Sequence, residues 1–357
     1  MNDVANASEG EDVDVLLGRP GGAGLGEGTA PDLDPTLPAE IFALTTGRSQ
    51  PPTATAMPPR RPRARDEELL ARGSIVDKYR IDGLLGKGGF AAVYRATHLL
   101  LGTKVAIKLL RPTLLERQPG LALQLCEEAR FAARINHPNV ARVLDVTTHA
   151  LTYIVMEYID GMSLGQRIDR GGPLPPADTL RVGMQVVAGL QAGLDQGLIH
   201  RDIKPANILL ARTGEVKIVD FGLARQSARR PEAPRARAPS VIGTYGYMSP
   251  EQADDPEAVD FRADIYSLGV TLYEASTGQL PFLTSDPVAC IQLHKTRPVP
   301  RPEDRIVGFP TAVSSLITWM LAKNREERPG TYDELHSAMS RTLAALACEA
   351  PDARKVP

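Results

Sequence analysis

Four polar residues whose types suit phosphoryl transfer lie within nineteen positions of one another, from Asp202 to Asp220. Asp202 could accept a proton from a hydroxyl group, and Lys204 could neutralise phosphate charge. Asn207 and Asp220 offer the oxygen ligands that Mg²⁺ prefers. Because this chemistry depends mostly on positioning and on charge neutralisation, the spacing predicts a phosphoryl-transfer site.

The elements that must position these residues are a loop and a short hairpin. Residues 215–219 alternate enough to predict a strand, and residues 208–210 predict its partner. Arg212, Thr213 and Gly214 form the predicted turn between them. The hairpin is therefore expected to hold the loop and the strand end that carry the four residues.

Two earlier segments could bind a nucleotide. The first is Leu85-Gly86-Lys87-Gly88-Gly89-Phe90-Ala91-Ala92-Val93, whose first two glycines would let backbone N–H groups approach phosphates. Alone it is a weak signal, since glycines after a strand more often form only a tight turn. The second is Val105-Ala106-Ile107-Lys108, a strand with a lysine that in isolation would simply be exposed.

A predicted helix after this strand gives Lys108 a candidate partner. Its apolar face consists of Leu121, Leu125, Ala129, Ala132 and Ala133. Glu128 lies at the margin of that face, and a carboxylate that points inward needs a cation. We therefore expect an ion pair between Lys108 and Glu128, with Glu127 as the alternative that points to solvent.

Taken in chain order, these motifs resemble those of the eukaryotic-like protein kinases, in particular the bacterial serine/threonine type. The segments 199–209 and Asp220-Phe221-Gly222 are similar to the catalytic loop and the metal-binding motif of that family. Ser249-Pro250-Glu251 resembles the end of the activation segment, residues 264–269 the central helix of the large lobe, and Arg328 the partner of Glu251. The resemblance implies an α+β fold with two lobes, a β-rich N-lobe over about 75–156 and a helical C-lobe over about 160–345.

The resemblance also implies a role for each residue. Asp202 would be the catalytic base, Lys204 would meet charge on the γ-phosphoryl group, and Thr244 would bond both of them. Asn207 and Asp220 would hold Mg²⁺ or Mn²⁺, while Lys108, positioned by Glu128, would fix the α- and β-phosphates of ATP. Met156 would be the gatekeeper beside the adenine, and His200 would be a packing residue. The implied nucleotide contacts are Leu85, Gly86, Lys87, Gly88, Gly89, Phe90, Val93, Ala106, Lys108, Met156, Leu209 and the backbone of Glu157 and Ile159.

The segment between Leu223 and Val241 departs from the pattern of bacterial relatives, which usually carry threonines there. This chain has only Ser227 and Ser240, set among five arginines. A phosphate on Ser240 would bring negative charge to those arginines and to Arg201. We predict Ser240 as the main phosphorylation site of this loop, with order from an acidic substrate or tail as the alternative.

Composition narrows the class of protein. The net charge of -2 over 357 residues predicts no general affinity for nucleic acid or for anionic membranes. Cys126, Cys290 and Cys348 lack metal-ligand spacing and are expected to be reduced thiols. The N-terminus lacks a signal-peptide pattern and no apolar run reaches the length of a membrane span, so a cytoplasmic protein is expected.

The chain is expected to divide into three parts. Residues 1–74 are rich in proline, glycine and carboxylates and predict a disordered tail. Residues 75–345 predict the kinase domain, and residues 346–357 a short C-terminal tail. Within the first part, the apolar segment 37–44 could form a short helix on a partner.

Three functions remain open from the sequence. The first is an ATP-dependent serine/threonine protein kinase, which transfers phosphate to protein hydroxyl groups and phosphorylates itself. The second is a pseudokinase scaffold, which the intact set Lys108, Glu128, Asp202, Asn207 and Asp220 disfavours. The third is a small-molecule kinase of the same fold, which residues 243–251 disfavour because in the family they hold a peptide.

Overall fold

The computed structural model describes residues 70–89, 91–117, 120–149, 151–221, 245–255 and 258–349. The predictions for Phe90, Thr244, Ser227, Ser240 and the apolar segment 37–44 lie outside these residues. Among the described helices, none is long and apolar enough to cross a membrane.

The N-lobe is an antiparallel sheet of six strands in the order β1-β2-β3-β4-β6-β5. Its buried side chains form two apolar clusters on opposite faces of the sheet. Tyr79, Ile81, Tyr94, Ile107 and Val155 pack in one, while Ile154 and Met156 pack in the other against helix α2. The elements are β1 Ile75–Val76, β2 Tyr79–Lys87, β3 Ala91–His98, β4 Lys104–Leu110, α1 Pro112–Arg117, α2 Leu121–Ala132, β5 Val143–Thr147 and β6 Tyr153–Glu157.

The C-lobe is mainly helical and is built around one buried helix, α6. This helix runs from Arg262 to Thr277 and buries nearly every side chain, as expected for a helix that is covered on all sides. The other elements are β7 Gly161–Ser163, α3 Leu164–Gly171, α4 Pro176–Leu194, β8 Ile208–Ala211, β9 Val216–Ile218, α5 Pro250–Asp254, α7 Pro287–Thr296, α8 Pro302–Arg305, α9 Thr311–Met320 and α10 Tyr332–Glu349, with 3-10 turns at Pro205–Asn207 and Arg325–Glu327.

The small sheet β7-β8-β9 carries the predicted hairpin. β8 and β9 pair antiparallel with Ile208 opposite Ile218, and Gly214 in the turn adopts a φ of 90° that glycine favours. Ile218 also exchanges backbone hydrogen bonds with Asn139 and Ala141, in the segment before β5. The hairpin is thus confirmed, and it is tied to the chain that leads into the N-lobe sheet.

Candidate active site

A buried carboxylate holds the backbone of the catalytic loop in place. Asp264 on α6 is fully buried and accepts the backbone N–H groups of His200 and Arg201, both at 2.7 Å. Arg201 adopts a φ of 67°, a conformation that costs energy for any residue except glycine. These two hydrogen bonds stabilise the strained backbone of the loop. They therefore also fix the position of the backbone that carries the Asp202 side chain.

His200 packs and does not face the cleft. Its side chain is fully buried, its Nε2 atom lies 3.0 Å from the carbonyl of Val219, and its ring meets the Phe221 ring edge-on at 4.9 Å. A Cβ atom at Gly193 on α4 would lie only 2.2 Å from the Phe221 ring, so glycine is required there. These contacts fit the structural role predicted for His200.

Asp202 is held by the two polar residues predicted beside it. The Nζ atom of Lys204 donates to its carboxylate oxygens at 2.7 and 2.9 Å. The side-chain N–H₂ of Asn207 donates to the Asp202 carbonyl at 2.8 Å and to its carboxylate at 3.0 Å. Since the Asp202 side chain remains 25% exposed, a substrate hydroxyl group could still reach it.

Asp220 is the second charged centre of the site. Burial alone would raise the pKa of its carboxyl group, but Lys108 lies 2.8 Å away and holds that pKa below its usual range. Asp220 lies two residues after the end of β9 and has a left-handed backbone conformation, with a φ of 63°. The backbone N–H of the preceding Val219 donates to the Asn207 carbonyl at 3.0 Å, which links the two residues predicted to hold metal.

The donor set suits a hard divalent cation that binds together with phosphates. Asp220 and Asn207 offer oxygen ligands, and Mg²⁺ commonly takes only one or two protein ligands plus phosphate oxygens. Within the described parts of the chain, no cluster of three or more His, Cys, Asp or Glu residues could hold a metal by itself. Asp220 and Asn207 therefore fit a divalent cation whose other ligands would be phosphate oxygens.

The predicted ion pair between Lys108 and Glu128 is not formed in this structure. Glu128 faces inward as predicted, with 7% exposure, and Glu127 is exposed. Among the described residues, the ion pair of Lys108 is instead with Asp220. A small cavity lined by Ala129, Ala132, Met156, Asp220 and Phe221 lies between α2 and the Asp220 segment.

The predicted position of Ala133 on the inner face of α2 was wrong, because the helix ends at Ala132 and Ala133 is exposed.

The apolar walls predicted for the adenine lie together on the N-lobe sheet. Met156 on β6 is opposite Ala106 on β4, and Val93 on β3 packs against the same cluster. Leu209 lies on β8 in the second sheet. The structure therefore supplies apolar surfaces in both lobes, as a ring bound between them would require.

Glu157, in the predicted hinge, has contacts that the sequence analysis missed. Its backbone N–H donates to the Arg142 carbonyl at 2.9 Å, so an adenine contact at Glu157 would have to use its carbonyl group. Its carboxylate lies 3.0 Å from Nζ of Lys217, a residue of β9 that is only 9% exposed. The alternation of residues 215–219 places Lys217 on the polar side of the strand, so no sequence signal indicated that it would be buried beside Glu157.

The glycine-rich loop forms the tip of the β2–β3 hairpin. β2 ends at Lys87 and β3 begins at Ala91, and the N–H of Gly88 donates to the Ala91 carbonyl at 2.8 Å. The guanidinium of Arg111 donates to the Gly88 carbonyl at 2.8 Å. Nothing in the sequence pattern indicated this contact. Arg111 lies between a predicted strand and Pro112, where an arginine is usually an exposed linker residue.

Residues 245–252, the described part of the segment around Glu251, lie beside the catalytic loop. Arg328 is fully buried at its side chain and donates to both carboxylate oxygens of Glu251, at 2.6 and 2.8 Å, which confirms the predicted pair. Gln252 donates to the Arg201 carbonyl at 2.9 Å. A bidentate, buried pair of this kind orients the segment as well as stabilising it.

Comparison with known proteins agrees with this geometry. The protein kinase domain model matches residues 79–340. The serine/threonine-protein kinase PknB of Mycobacterium leprae is 38% identical over 283 residues, which cover 78% of this chain and 45% of that protein. The probable serine/threonine-protein kinase PknB of Corynebacterium glutamicum is 35% identical over 276 residues, covering 75% of this chain and 42% of that protein. The chain thus spans about half the length of the curated relatives it matches.

The fold is shared with solved kinase domains. The crystal structure of the PknI kinase domain of Mycobacterium tuberculosis superposes with a TM-score of 0.59 at 24% identity, over 77% of this chain and 100% of that domain. At this identity the likeness concerns the fold alone. Together with the sequence matches and the arrangement of Asp202, Asn207 and Asp220, it confirms the two-lobed α+β fold: this chain belongs to the protein kinase family, with the bacterial serine/threonine kinases among its relatives.

Proposed function

We propose that this chain transfers the γ-phosphoryl group of ATP to serine or threonine hydroxyl groups of proteins. The observation that carries the proposal is the group around Asp202, in which Lys204 and Asn207 hold the carboxylate while a quarter of it stays accessible. Asp202 orients the substrate hydroxyl and accepts its proton. Lys204, already at 2.7 Å from that carboxylate, meets the charge on the transferred group.

The metal and the nucleotide are placed by the second centre. We propose Mg²⁺, with Mn²⁺ as a substitute, held by Asp220 and Asn207; the bound metal neutralises phosphate charge. When the nucleotide binds, Lys108 leaves its ion pair with Asp220. It then contacts the α- and β-phosphates and pairs with Glu128. The burial of Glu128 supports this exchange, because a carboxylate on the inner face of α2 stabilises a cation that reaches it.

The remaining assignments are proposals of the same kind. Leu85, Gly86, Lys87, Gly88, Gly89, Phe90, Val93, Ala106, Met156, Ile159 and Leu209 enclose the nucleotide. Thr244 organises Asp202 and Lys204, and phospho-Ser240 orders the activation segment. Residues 75–345 form the catalytic domain, whose last helix α10 continues to Glu349; residues 1–74 are a tail, protein substrates are the partners, and the location is the cytoplasm.

The test is a phosphotransfer assay with the full chain, labelled ATP, Mg²⁺ and a generic protein substrate, followed by identification of the labelled residues. Phosphoserine and phosphothreonine on the substrate, lost in Asp220→Ala, are the expected result. Nucleotide binding without transfer would support the scaffold instead. Transfer to small alcohols but not to protein would support the small-molecule kinase.

A further inference from the structure

Arg111 stands where the regular pairing of the N-lobe sheet stops. The β3–β4 ladder ends with Ala91 opposite Leu110, and Arg111 is the next residue along the chain. Its carbonyl accepts the N–H groups of Leu114 at 3.0 Å and Leu115 at 3.4 Å, in the first turn of α1. The backbone of Arg111 is thus fixed between a strand end and a helix start, so its side chain is projected from a rigid base.

The side chain reaches the tip of the glycine-rich loop. Its Nη2 atom donates to the Gly88 carbonyl at 2.8 Å. Across the ranges that the structure describes, no carboxylate forms an ion pair with Arg111. Since the N–H of Gly88 is already bonded to Ala91, the Arg111 contact completes the backbone pairing of Gly88.

Holding the Gly88 carbonyl also orients the next N–H group. In a trans peptide the C=O of one residue and the N–H of the following residue point in opposite directions. The bond from Arg111 therefore fixes the direction of the Gly89 N–H, which is a natural donor to a nucleotide phosphate.

The loop has no other evident means of fixing this peptide within the described residues. A Cβ atom at Gly89 would meet nothing within 4 Å, and one at Gly88 would be 3.5 Å from the Ala91 carbonyl at an ordinary contact distance. Glycines in such open surroundings lose more backbone entropy on ordering than any other residue. A charged hydrogen bond to the carbonyl offsets part of that cost before the nucleotide binds.

We infer that Arg111 is a positioning residue that orients the Gly88–Gly89 peptide for the phosphates of the nucleotide. The inference rests on the proposed function, because it presumes that the cleft binds ATP. Arg111 acts through the loop and contributes mainly to the affinity for phosphate-bearing ligands. The adenosine part of the ligand binds farther along the cleft and does not depend on it.

The experiment compares three ligands on the full chain. Adenosine, ADP and a non-hydrolysable ATP analogue are titrated with Mg²⁺ into the wild type, Arg111→Met and Arg111→Lys. The control is Arg80→Met, which removes an arginine from β2 of the same hairpin, where its side chain is 54% exposed and lies 3.8 Å from Asp82. Melting temperatures establish that each variant is folded, and Arg111→Gln replaces any variant that is not.

For Arg111→Met we expect ADP and the ATP analogue to lose affinity about three- to tenfold, as an exposed charged hydrogen bond would allow. Adenosine should bind as it does to the wild type, and Arg111→Lys should recover part of the loss. In the kinase assay KM for ATP should rise by a similar factor while kcat changes less. Arg80→Met should match the wild type throughout.

Three results would overturn the inference. Unchanged ADP affinity in Arg111→Met would show that the contact is incidental. An equal loss for adenosine would point to a general disturbance of the lobe, and a loss for the ATP analogue alone would point to direct contact with the γ-phosphate. Failure of the wild type to bind any of the three ligands would instead refute the proposed function.

Discussion

The two charged centres of the cleft are held in different ways. On the C-lobe side, Asp202 already contacts Lys204 and Asn207, and the backbone before it is bonded to Asp264 on the buried helix α6. On the N-lobe side, Lys108 is bonded across the cleft to Asp220 and forms no ion pair with Glu128. The half proposed for proton transfer is thus preorganised, whereas in the half proposed for the nucleotide Lys108 would have to exchange Asp220 for Glu128.

The largest expected effect comes from the preorganised half. Asp202→Asn keeps the shape of the side chain but removes the base, so kcat should fall by about 10²- to 10⁴-fold. Affinity for ADP should stay at the wild-type value, because in the proposed mechanism Asp202 contacts the substrate hydroxyl and not the nucleotide. The measurement is kcat beside ADP titration, and a kcat within about twofold of wild type would remove Asp202 from the mechanism.

The exchange of partners in the nucleotide half predicts strong coupling. Lys108→Met should nearly abolish transfer, and Glu128→Gln should weaken it because Lys108 loses its destination. In a double-mutant cycle on kcat/KM, the two losses should fall well short of adding.

Glu127→Gln is the matched control, since Glu127 neighbours Glu128 but is exposed. It should leave kcat/KM unchanged. Full additivity of the Lys108 and Glu128 losses would mean that the two residues never pair. A loss in Glu127→Gln that couples to Lys108→Met would assign the role to Glu127.

The buried ion pair on the C-lobe side of the cleft should contribute measurably to the free energy of unfolding. Arg328→Met leaves the carboxylate of Glu251 largely buried without its cation, and breaking such a pair costs about 3–5 kcal/mol. Arg325→Met is the control, because Arg325 makes long ion pairs with Asp260 at 3.6 Å and Glu326 at 3.5 Å and an exposed hydrogen bond to the Ala258 carbonyl at 3.0 Å, so its loss should cost far less stability. Denaturant unfolding measures both, and equal losses would contradict the structural role of the buried pair.

The smallest expected effect is a pH dependence of the free energy of unfolding that arises from Lys323, close to Arg328. Lys323 donates to the His294 carbonyl at 2.7 Å, and burial, followed by the charge of Arg328, lowers its pKa to about 8 from 10.5. Between these two values the unfolded chain binds the proton and the folded one does not, so this group makes the free energy of unfolding rise with pH from about 8 to 10.5. Lys323→Met should remove that increment, and an unchanged slope of stability against pH would show that Lys323 titrates normally.

The site shows where sequence reasoning was sufficient. Asp202, Lys204 and Asn207 lie within six positions on one loop, so local spacing predicted their contacts, and the β8–β9 hairpin followed from short-range alternation and a glycine turn. The pair between Glu251 and Arg328 spans 77 positions and was predicted only through the family resemblance. Local physics alone would not have found it.

From local patterns the sequence determined the β8–β9 hairpin, the inner face of α2 and the identity of the charged residues, because periodicity, turn chemistry and motif spacing are local properties of the chain, and the kinase fold followed from the family resemblance. What only the tertiary structure decided was which charges meet. Lys108 lies 112 positions before Asp220 and 20 before Glu128, and its choice of Asp220 depends on how α2 and β9 lie against the N-lobe sheet. The contacts of Lys217 with Glu157 and of Arg111 with Gly88 were decided in the same way. Ion pairs and side-chain hydrogen bonds act over a few ångströms in space, and no periodicity along the chain encodes such distances.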